Sequence, residues 1–205
     1  MRIKPENVTE GQQRKAGRLV IKQVQIERKK SNSGLHNLYR KCKAMAYKIP
    51  AATKIGHVHL KVSDLDKALA FYRDLLGFEE TVRYGSQAVF LSAGGYHHHI
   101  GLNTWYSKGT APAPVRATGL FHTAILYPTR KDLALALKRL LDAGYPLKGA
   151  SDHGVSQAIY LDDPDKNGVE LYWDRPREEW PLDAEGNLIM FTEALDLEEL
   201  LALIE

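Results

Sequence analysis

The clearest feature of the chain is a series of short apolar runs interrupted by one amphipathic segment. Residues 55–62 (IGHVHLKV) are rich in β-forming residues and predict a strand. After Ser63, which we expect to cap the next element, apolar residues recur at helical spacing and predict a helix that ends at Gly77. Three further β-type runs follow, at 78–84, 88–93 and 97–105. The predicted order of this unit is βαβββ.

The same order begins again after a loop rich in proline, alanine and glycine. Residues 120–127 (LFHTAILY) predict a strand, and Thr129 with Asp132 resembles a capping box ahead of a second amphipathic helix. An extended stretch at 146–148 and strands at 157–163 and 169–173 complete this second unit.

The two units form an internal repeat, because His57 and His122 lie at matching positions 65 residues apart. We therefore predict an α+β domain over residues 51–175, made of tandem βαβββ modules at about 54–106 and 119–175. Each sheet is too small to bury both of its faces. We expect the two sheets to curl into a barrel around a shared cavity.

Two segments flank the predicted domain. Residues 1–50 contain 13 Lys and Arg against 3 Asp and Glu, which indicates a basic, flexible extension. Met45 stands just ahead of the first strand, and we expect it to be the true start of the protein, with residues 1–44 as translated upstream sequence or a dispensable extension. The tail at 176–205 predicts a short amphipathic helix at about 195–204, which lies over the cavity mouth or forms a homodimer interface.

Composition limits the class of protein. The chain has 205 residues, of which 44% are hydrophobic, enough for one domain with a sizeable core. No apolar run approaches the roughly 18 residues that a membrane span requires. Cys42 is the only cysteine, which excludes an internal disulfide and fits a reducing cytoplasm. The charge of the extension alone does not indicate a specific nucleic-acid partner.

Three polar residues interrupt the apolar runs. His57 and His122 lie in the first predicted strand of each module, and Glu170 lies between Val169 and Leu171. A buried carboxylate is costly without a cation or a hydrogen-bonding partner. Two imidazoles and one carboxylate suit a divalent transition metal such as Fe(II), and they leave coordination positions open for substrate and oxygen. The three residues are therefore the candidate metal ligands.

The segments GHVHLKVSDLDKALAFYRDLLGF and HGVSQAIYLDDPDKNGVELYW resemble the vicinal-oxygen-chelate superfamily, which includes glyoxalase I, bleomycin resistance proteins and extradiol catechol dioxygenases. The resemblance covers residues 54–175. It implies the paired βαβββ fold and metal ligands at His57, His122 and Glu170. The extradiol dioxygenases are the most similar branch, although the two-domain members have four modules where this chain has two.

The same resemblance implies three further site residues. Tyr160 lies ten positions before Glu170, and His153 fills the place of a histidine at the mouth of the site. An acid–base histidine falls in the run His97 to His99, where His98 matches the family position better than His99 does. Regular strand alternation would put His98 on the same face as Ile100.

These expectations favour an Fe(II)-dependent extradiol dioxygenase that cleaves a catechol-type aromatic diol with O2, with Mn(II) as the alternative metal. Two other classes stay open. A glyoxalase-like isomerase or lyase would take a fourth metal ligand from His98 or His99. A small-molecule-binding protein of the bleomycin-resistance type would need the cavity but not the metal.

Overall fold

The computed structural model describes residues 47–205 of the chain. Residues 47–50 are exposed and have no regular secondary structure. The rest of the predicted basic extension, including Met45, lies outside the described residues.

The first module contains one four-stranded sheet and one helical segment. Strands β1 and β4 are parallel, and β4, β3 and β2 follow in antiparallel order across the sheet. Helix α1 continues without a break into a π-helical segment. The bounds are β1 Val58–Lys61, α1 Leu65–Leu69, the π-helical segment Ala70–Leu75, β2 Glu79–Tyr84, β3 Ala88–Ser92 and β4 Ile100–Asn103.

The cap of α1 differs from the prediction. Asp64, not Ser63, is the N-cap, and its carboxylate accepts hydrogen bonds from the backbone N–H groups of Asp66 and Lys67. The backbone N–H of Ser63 donates instead to Oδ2 of Asp165 in the second module, over 2.9 Å. Ser63 therefore contributes to a contact between the modules and does not cap the helix.

The second module repeats this arrangement, so the predicted α+β class and the duplicated βαβββ order are confirmed. Strands β5 and β8 are parallel, and β8, β7 and β6 follow in antiparallel order across the sheet. Thr129 caps helix α2 and exchanges hydrogen bonds with Asp132, as the capping box predicts. The bounds are β5 Thr123–Leu126, α2 Arg130–Asp142, β6 Gly149–Asp152, β7 Ser156–Asp162 and β8 Gly168–Asp174.

The C-terminal tail packs on the second module. A 3-10 turn at Arg177–Glu179 leads to β9 at Glu193–Ala194, which adds a fifth strand beside β6. Helix α3, Leu197–Leu201, ends in a 3-10 turn and buries Leu200 completely. Arg130 of α2 donates to Glu199 of α3 over 2.9 Å. The apolar side of α3 is thus covered by its own chain.

The two modules share one hydrophobic core, built from their helices and from one face of each sheet. Leu60 and Val62 point into this core, so His57 and His59, which alternate with them, lie on the opposite face of the first sheet. Among the described strands, none of the first sheet pairs with any of the second, and both sheets have free edges. No helix within residues 47–205 is long and apolar enough to span a bilayer.

Candidate metal and proton-transfer site

Strands β5 and β8 bring His122 beside Glu170. Glu170 lies in β8 and its register partner in β5 is Ala124, so His122, which immediately precedes β5, approaches the same part of β8. Gly168 permits this approach, because a Cβ atom there would overlap with the carbonyl oxygen of Phe121. The position of His122 therefore depends on the absence of a side chain at Gly168.

The His122 imidazole and the Glu170 carboxylate form a close pair. Nε2 of His122 lies 2.9 Å from Oε2 of Glu170, whose side chain is only 12% exposed. Two donor atoms that are each about 2.1 Å from one divalent ion and at right angles are about 3 Å apart. The pair therefore fits two neighbouring ligands of one metal. Nδ1 of His122 is buried and has no hydrogen-bond partner among the described residues.

Tyr160 contacts the other oxygen of the carboxylate. It is the register partner of Glu170 across β7 and β8, and its hydroxyl donates to Oε1 of Glu170 over 3.1 Å. Burial, together with the charge of Glu170 and this hydrogen bond, raises the pKa of Tyr160 to about 12. The phenol therefore keeps its proton at neutral pH.

His153 extends the network beyond Tyr160. Its Nε2 lies 2.6 Å from the Tyr160 hydroxyl, and its Nδ1 lies 2.9 Å from the carbonyl oxygen of Phe191. A carbonyl only accepts, so Nδ1 carries a hydrogen. When Tyr160 donates to Glu170, its hydroxyl oxygen can only accept from Nε2 of His153. When Tyr160 donates to His153 instead, Glu170 loses that donor.

The tail positions His153, a relationship that the sequence did not predict. The backbone of Phe191 pairs with His153 in both directions, since its N–H donates to the His153 carbonyl and its own carbonyl accepts from the ring. Gly154 has a φ of 77° and lies against the Phe191 ring, where a Cβ atom would collide. Every residue has a backbone carbonyl, so the sequence does not indicate which one contacts the His153 ring. The contact becomes evident only from the pairing of β9 with β6.

The first module holds His57 and His98 together. Their ring centroids are 4.4 Å apart, and the His98 ring also contacts Phe90 at 4.9 Å. Nδ1 of His98 lies 2.7 Å from Nδ1 of His97. Desolvation, followed by the neighbouring histidines, lowers the pKa of His98, which favours its neutral form.

His98 lies on the same side of the first sheet as His57 because the regular alternation of side chains along β4 begins only after His98. Residues 96–99 have no strand geometry, and β4 starts at Ile100, which is buried in the core. The expectation that His98 shares the face of Ile100 is therefore wrong. His99 is held elsewhere, with Nδ1 3.1 Å from the Ser92 hydroxyl and 3.3 Å from the backbone nitrogen of Ala93.

The strand registers show how the two modules have diverged. Gly101 is the partner of His59 in β1, as Glu170 is the partner of Ala124 in β5. A Cβ atom on Gly101 would lie 2.9 Å from the His59 ring, which fills the space above it. The first module therefore has a histidine and a glycine where the second has an alanine and a carboxylate.

The six predicted site residues thus fall into two groups. His122, Glu170, Tyr160 and His153 make one continuous network on the second sheet, whereas His57 and His98 lie together on the first. Over residues 47–205, no set of three histidine, cysteine or acidic side chains is close enough to hold one metal ion. The predicted ligand His57 does not join the other two ligands within the described chain.

Comparisons with known proteins agree with this architecture. The chain is 42% identical to Catechol-2,3-dioxygenase of Bacillus subtilis over 150 residues, which are 73% of this chain and 51% of that protein. It is 33% identical to Biphenyl-2,3-diol 1,2-dioxygenase 3 of Rhodococcus globerulus, over 59% of this chain and 63% of that protein. The chain therefore spans about half to two thirds of the length of these relatives.

A solved structure of similar fold is that of a glyoxalase/dioxygenase from Nostoc punctiforme. It has a TM-score of 0.53 and 16% identity, and the match covers 64% of this chain and 99% of that one. Residues 54–171, more than half of the chain, match one family as a whole. The chain belongs to the Glyoxalase/Bleomycin resistance protein/Dioxygenase superfamily.

Proposed function

We propose that this protein is an Fe(II)-dependent extradiol dioxygenase that opens the ring of a catechol-type aromatic diol with O2. The observation that carries the proposal is the continuous network from His122 through Glu170 and Tyr160 to His153. It places two candidate ligands beside two groups able to transfer protons. The dioxygenase names of the two curated relatives support the same reaction.

The proposed metal ligands are His57, His122 and Glu170. Two imidazoles and one carboxylate leave positions free for both diol oxygens and for O2, and the set suits Fe(II) or Mn(II). When bound, the metal supplies the electron transfer between the diol and oxygen. The protein contributes the arrangement of the ligands and the control of protons around them.

Tyr160 and His153 are the proposed proton-handling pair. Tyr160 has one hydroxyl proton and two neighbours that can accept it, so its proton can shift between the Glu170 side and the His153 side. His153 is held in place by the Phe191 carbonyl and can take or return a proton at Nε2. His98, whose ring contacts that of His57, is the proposed acid–base residue on the His57 side.

The test is anaerobic reconstitution with Fe(II), followed by catechol, 3-methylcatechol or 2,3-dihydroxybiphenyl and then oxygen. We expect a yellow ring-opened product from at least one of the three, with oxygen consumed in equal amount. A protein that binds iron yet gives no product with any of them would contradict the proposed reaction.

Two variants serve as a matched pair in this assay. Glu170→Gln removes the charge of a proposed ligand and should lower both the iron content and turnover at least tenfold. Glu178→Gln removes an exposed carboxylate in the 3-10 turn of the tail and should leave both unchanged. Equal loss in the two variants would mean that the effect is not specific to the site.

A glyoxalase-like isomerase or lyase is the second candidate, favoured by the contact between His57 and His98. If His98 ligates the metal together with His57, fewer positions remain open for the diol and oxygen. Nitric oxide binding to the Fe(II) protein in the presence of catechol separates the two candidates. A nitrosyl signal formed with catechol bound supports the dioxygenase, and its absence in wild type with recovery in His98→Ala supports the isomerase or lyase.

A further inference from the structure

His153 lies in the short connection between β6 and β7, and the carboxylate of Asp152 bridges over it. Oδ1 of Asp152 accepts from the backbone N–H of Gly154 over 2.8 Å, so the bond spans the histidine. The backbone N–H of His153 donates to the carbonyl oxygen of Ser156, also over 2.8 Å. Asp and Asn side chains commonly stabilise turns in this way. The direction in which the His153 side chain leaves the backbone therefore depends on a turn that Asp152 closes.

The second oxygen of Asp152 is held by two other side chains. Oδ2 accepts from Nε2 of Gln157 over 3.0 Å and from the guanidinium of Arg175. The Asp152 side chain is only 18% exposed. Burial alone would raise the pKa of Asp152, but the hydrogen bonds that the carboxylate accepts lower it overall. Asp152 is therefore ionised at neutral pH and can keep all three donors.

Both side-chain donors are themselves fixed. Oε1 of Gln157 accepts from Nε of Arg130 over 2.7 Å, and Arg130 also donates to helix α3 of the tail. The backbone N–H of Arg175 donates to the carbonyl oxygen of Val155 over 2.8 Å, and its own carbonyl accepts from the indole N–H of Trp180 over 2.8 Å. Asp152 is thus attached to a frame that includes α2, the end of β8 and the tail.

Hydrogen bonds, more than dense packing, hold this turn. A cavity of about 360 Å³ lies beside it, with Gly154 and Arg175 on one part of its wall and Phe191 and Glu193 of the tail on another. A turn next to such a cavity can shift without a steric clash. The His153 ring meets the Tyr160 hydroxyl at one nitrogen and the Phe191 carbonyl at the other, so a shift of the turn would lengthen one or both contacts.

We propose that Asp152 is a positioning residue, whose carboxylate holds the turn so that the His153 ring reaches Tyr160 and Phe191 at the same time. The inference rests on the proposed function, which assigns proton transfer to His153. Among the described hydrogen bonds of the Asp152 carboxylate, none goes to a proposed metal ligand or to the side chains of Tyr160 and His153. Asp152 therefore acts only through the backbone beside it.

The direct test follows the Nδ1 hydrogen of His153 in the metal-free protein, by NMR with ¹⁵N-labelled histidine. This hydrogen is donated to the Phe191 carbonyl, so we expect a slowly exchanging signal in wild type that is absent in His153→Gln. Asp152→Ala removes the bridge to Gly154 and should speed up exchange of the signal with water about tenfold or more. Exchange at the wild-type rate in a folded Asp152→Ala protein would overturn the inference, as would the absence of the signal in wild type.

Two further variants control for loss of the charge. Asp152→Asn keeps an oxygen that can accept from the N–H of Gly154, and its exchange rate should stay within about threefold of wild type. Asp162→Asn removes a carboxylate that pairs with Lys148 at the other end of β7, and it should leave the exchange rate unchanged. Equal acceleration in Asp152→Ala and Asp162→Asn would mean a general loosening of the sheet and would contradict the proposed role.

In the iron-loaded enzyme, misplacement of His153 should lower turnover more than diol binding. For Asp152→Ala we expect kcat to fall about tenfold, with KM for the diol within about twofold of wild type and unchanged iron content. Asp152→Asn should recover most of kcat. A less stable Asp152→Ala protein with wild-type kcat would show that Asp152 is needed for folding alone, and would overturn the inference.

Gln157→Met tests the same frame if Asp152→Ala does not fold. It keeps the size of the side chain, removes one donor to Asp152 and cuts the link to Arg130, so exchange of the His153 signal should accelerate about threefold. An unchanged rate would overturn the inference. A wild-type protein that forms no ring-opened product would overturn the proposed function, whereas the exchange measurement needs neither metal nor substrate and still decides whether Asp152 positions His153.

Discussion

Nε2 of His153 lies 2.6 Å from the hydroxyl of Tyr160, closer than the 3.1 Å between that hydroxyl and Glu170. The phenol therefore has a shorter contact with the imidazole than with the carboxylate.

Removing the hydroxyl of Tyr160 should interrupt proton transfer without removing a ligand. For Tyr160→Phe we expect kcat of ring opening to fall about 100-fold, in the range for loss of a positioned acid–base group, with unchanged iron content. Steady-state kinetics and elemental analysis on the same sample check this. Tyr106→Phe, at a tyrosine that is 88% exposed, is the control. Wild-type kcat in an iron-loaded Tyr160→Phe protein would rule out the role.

Gly168→Ala should disturb the approach of β5 to β8. The added Cβ would overlap with the Phe121 carbonyl and crowd the backbone of His122, so we expect the free energy of unfolding to fall by about 2 kcal/mol or more. Metal affinity should fall with it, because His122 moves away from Glu170. Urea unfolding and metal titration measure the two effects. Gly149→Ala is the matched control, since its Cβ would meet nothing within 4 Å.

The turn at Asp163–Gly168 contains Lys166 with a φ of 66°, a left-handed conformation that disfavours side chains. Asp183 and Asn187 in the tail form the same set of hydrogen bonds as Asp163 and Asn167, and there the equivalent residue is Gly186. We expect Lys166→Gly to stabilise the protein by up to about 1 kcal/mol and Gly186→Lys to destabilise it by about 1 kcal/mol. Thermal or urea unfolding of both variants checks the opposite signs.

The buried pair of Tyr72 and Asp163 should make stability depend on pH. Burial raises the pKa of Asp163, so this group stabilises the fold below its unfolded pKa of about 3.9 and that contribution is lost as pH rises through the higher folded pKa. The Tyr72 hydrogen bond opposes the shift by favouring the carboxylate.

Tyr72→Phe should therefore cost more at neutral than at acid pH. We expect a loss of about 2 kcal/mol at pH 7, where the buried carboxylate loses a donor, and less than about 1 kcal/mol near pH 3, where it is protonated. Urea unfolding at the two pH values measures the difference. An equal loss at both would mean that Asp163 does not change its charge between the two pH values.

The local elements could be predicted from the sequence, because each follows from the spacing of apolar residues near it. The strand that begins just after His57 and the cap at Thr129 are of this kind, whereas Tyr160 was implied only by the family resemblance. The π-helical continuation of α1 could not be predicted, since apolar spacing does not distinguish it from an α-helix. The position of His98 was missed because the residues before β4 do not alternate.

The relation between the modules could not be predicted either. It depends on contacts such as the hydrogen bond from Tyr72 to Asp163, made by residues 91 positions apart whose types are common in helices and turns. The repeat indicates that two equivalent faces exist. It does not indicate whether the faces of one chain meet each other.

The register of Gly101 against His59 restricts how the first module can change. A carboxylate introduced at Gly101 would strike the His59 ring, so the substitution is open only after His59 has become small. His59 must therefore be replaced by a smaller residue before a carboxylate can be introduced at Gly101, because the Gly101 substitution alone would clash with the His59 ring. A double variant, His59→Ala with Gly101→Glu, is the shortest route to a chain in which both modules offer a histidine and a carboxylate.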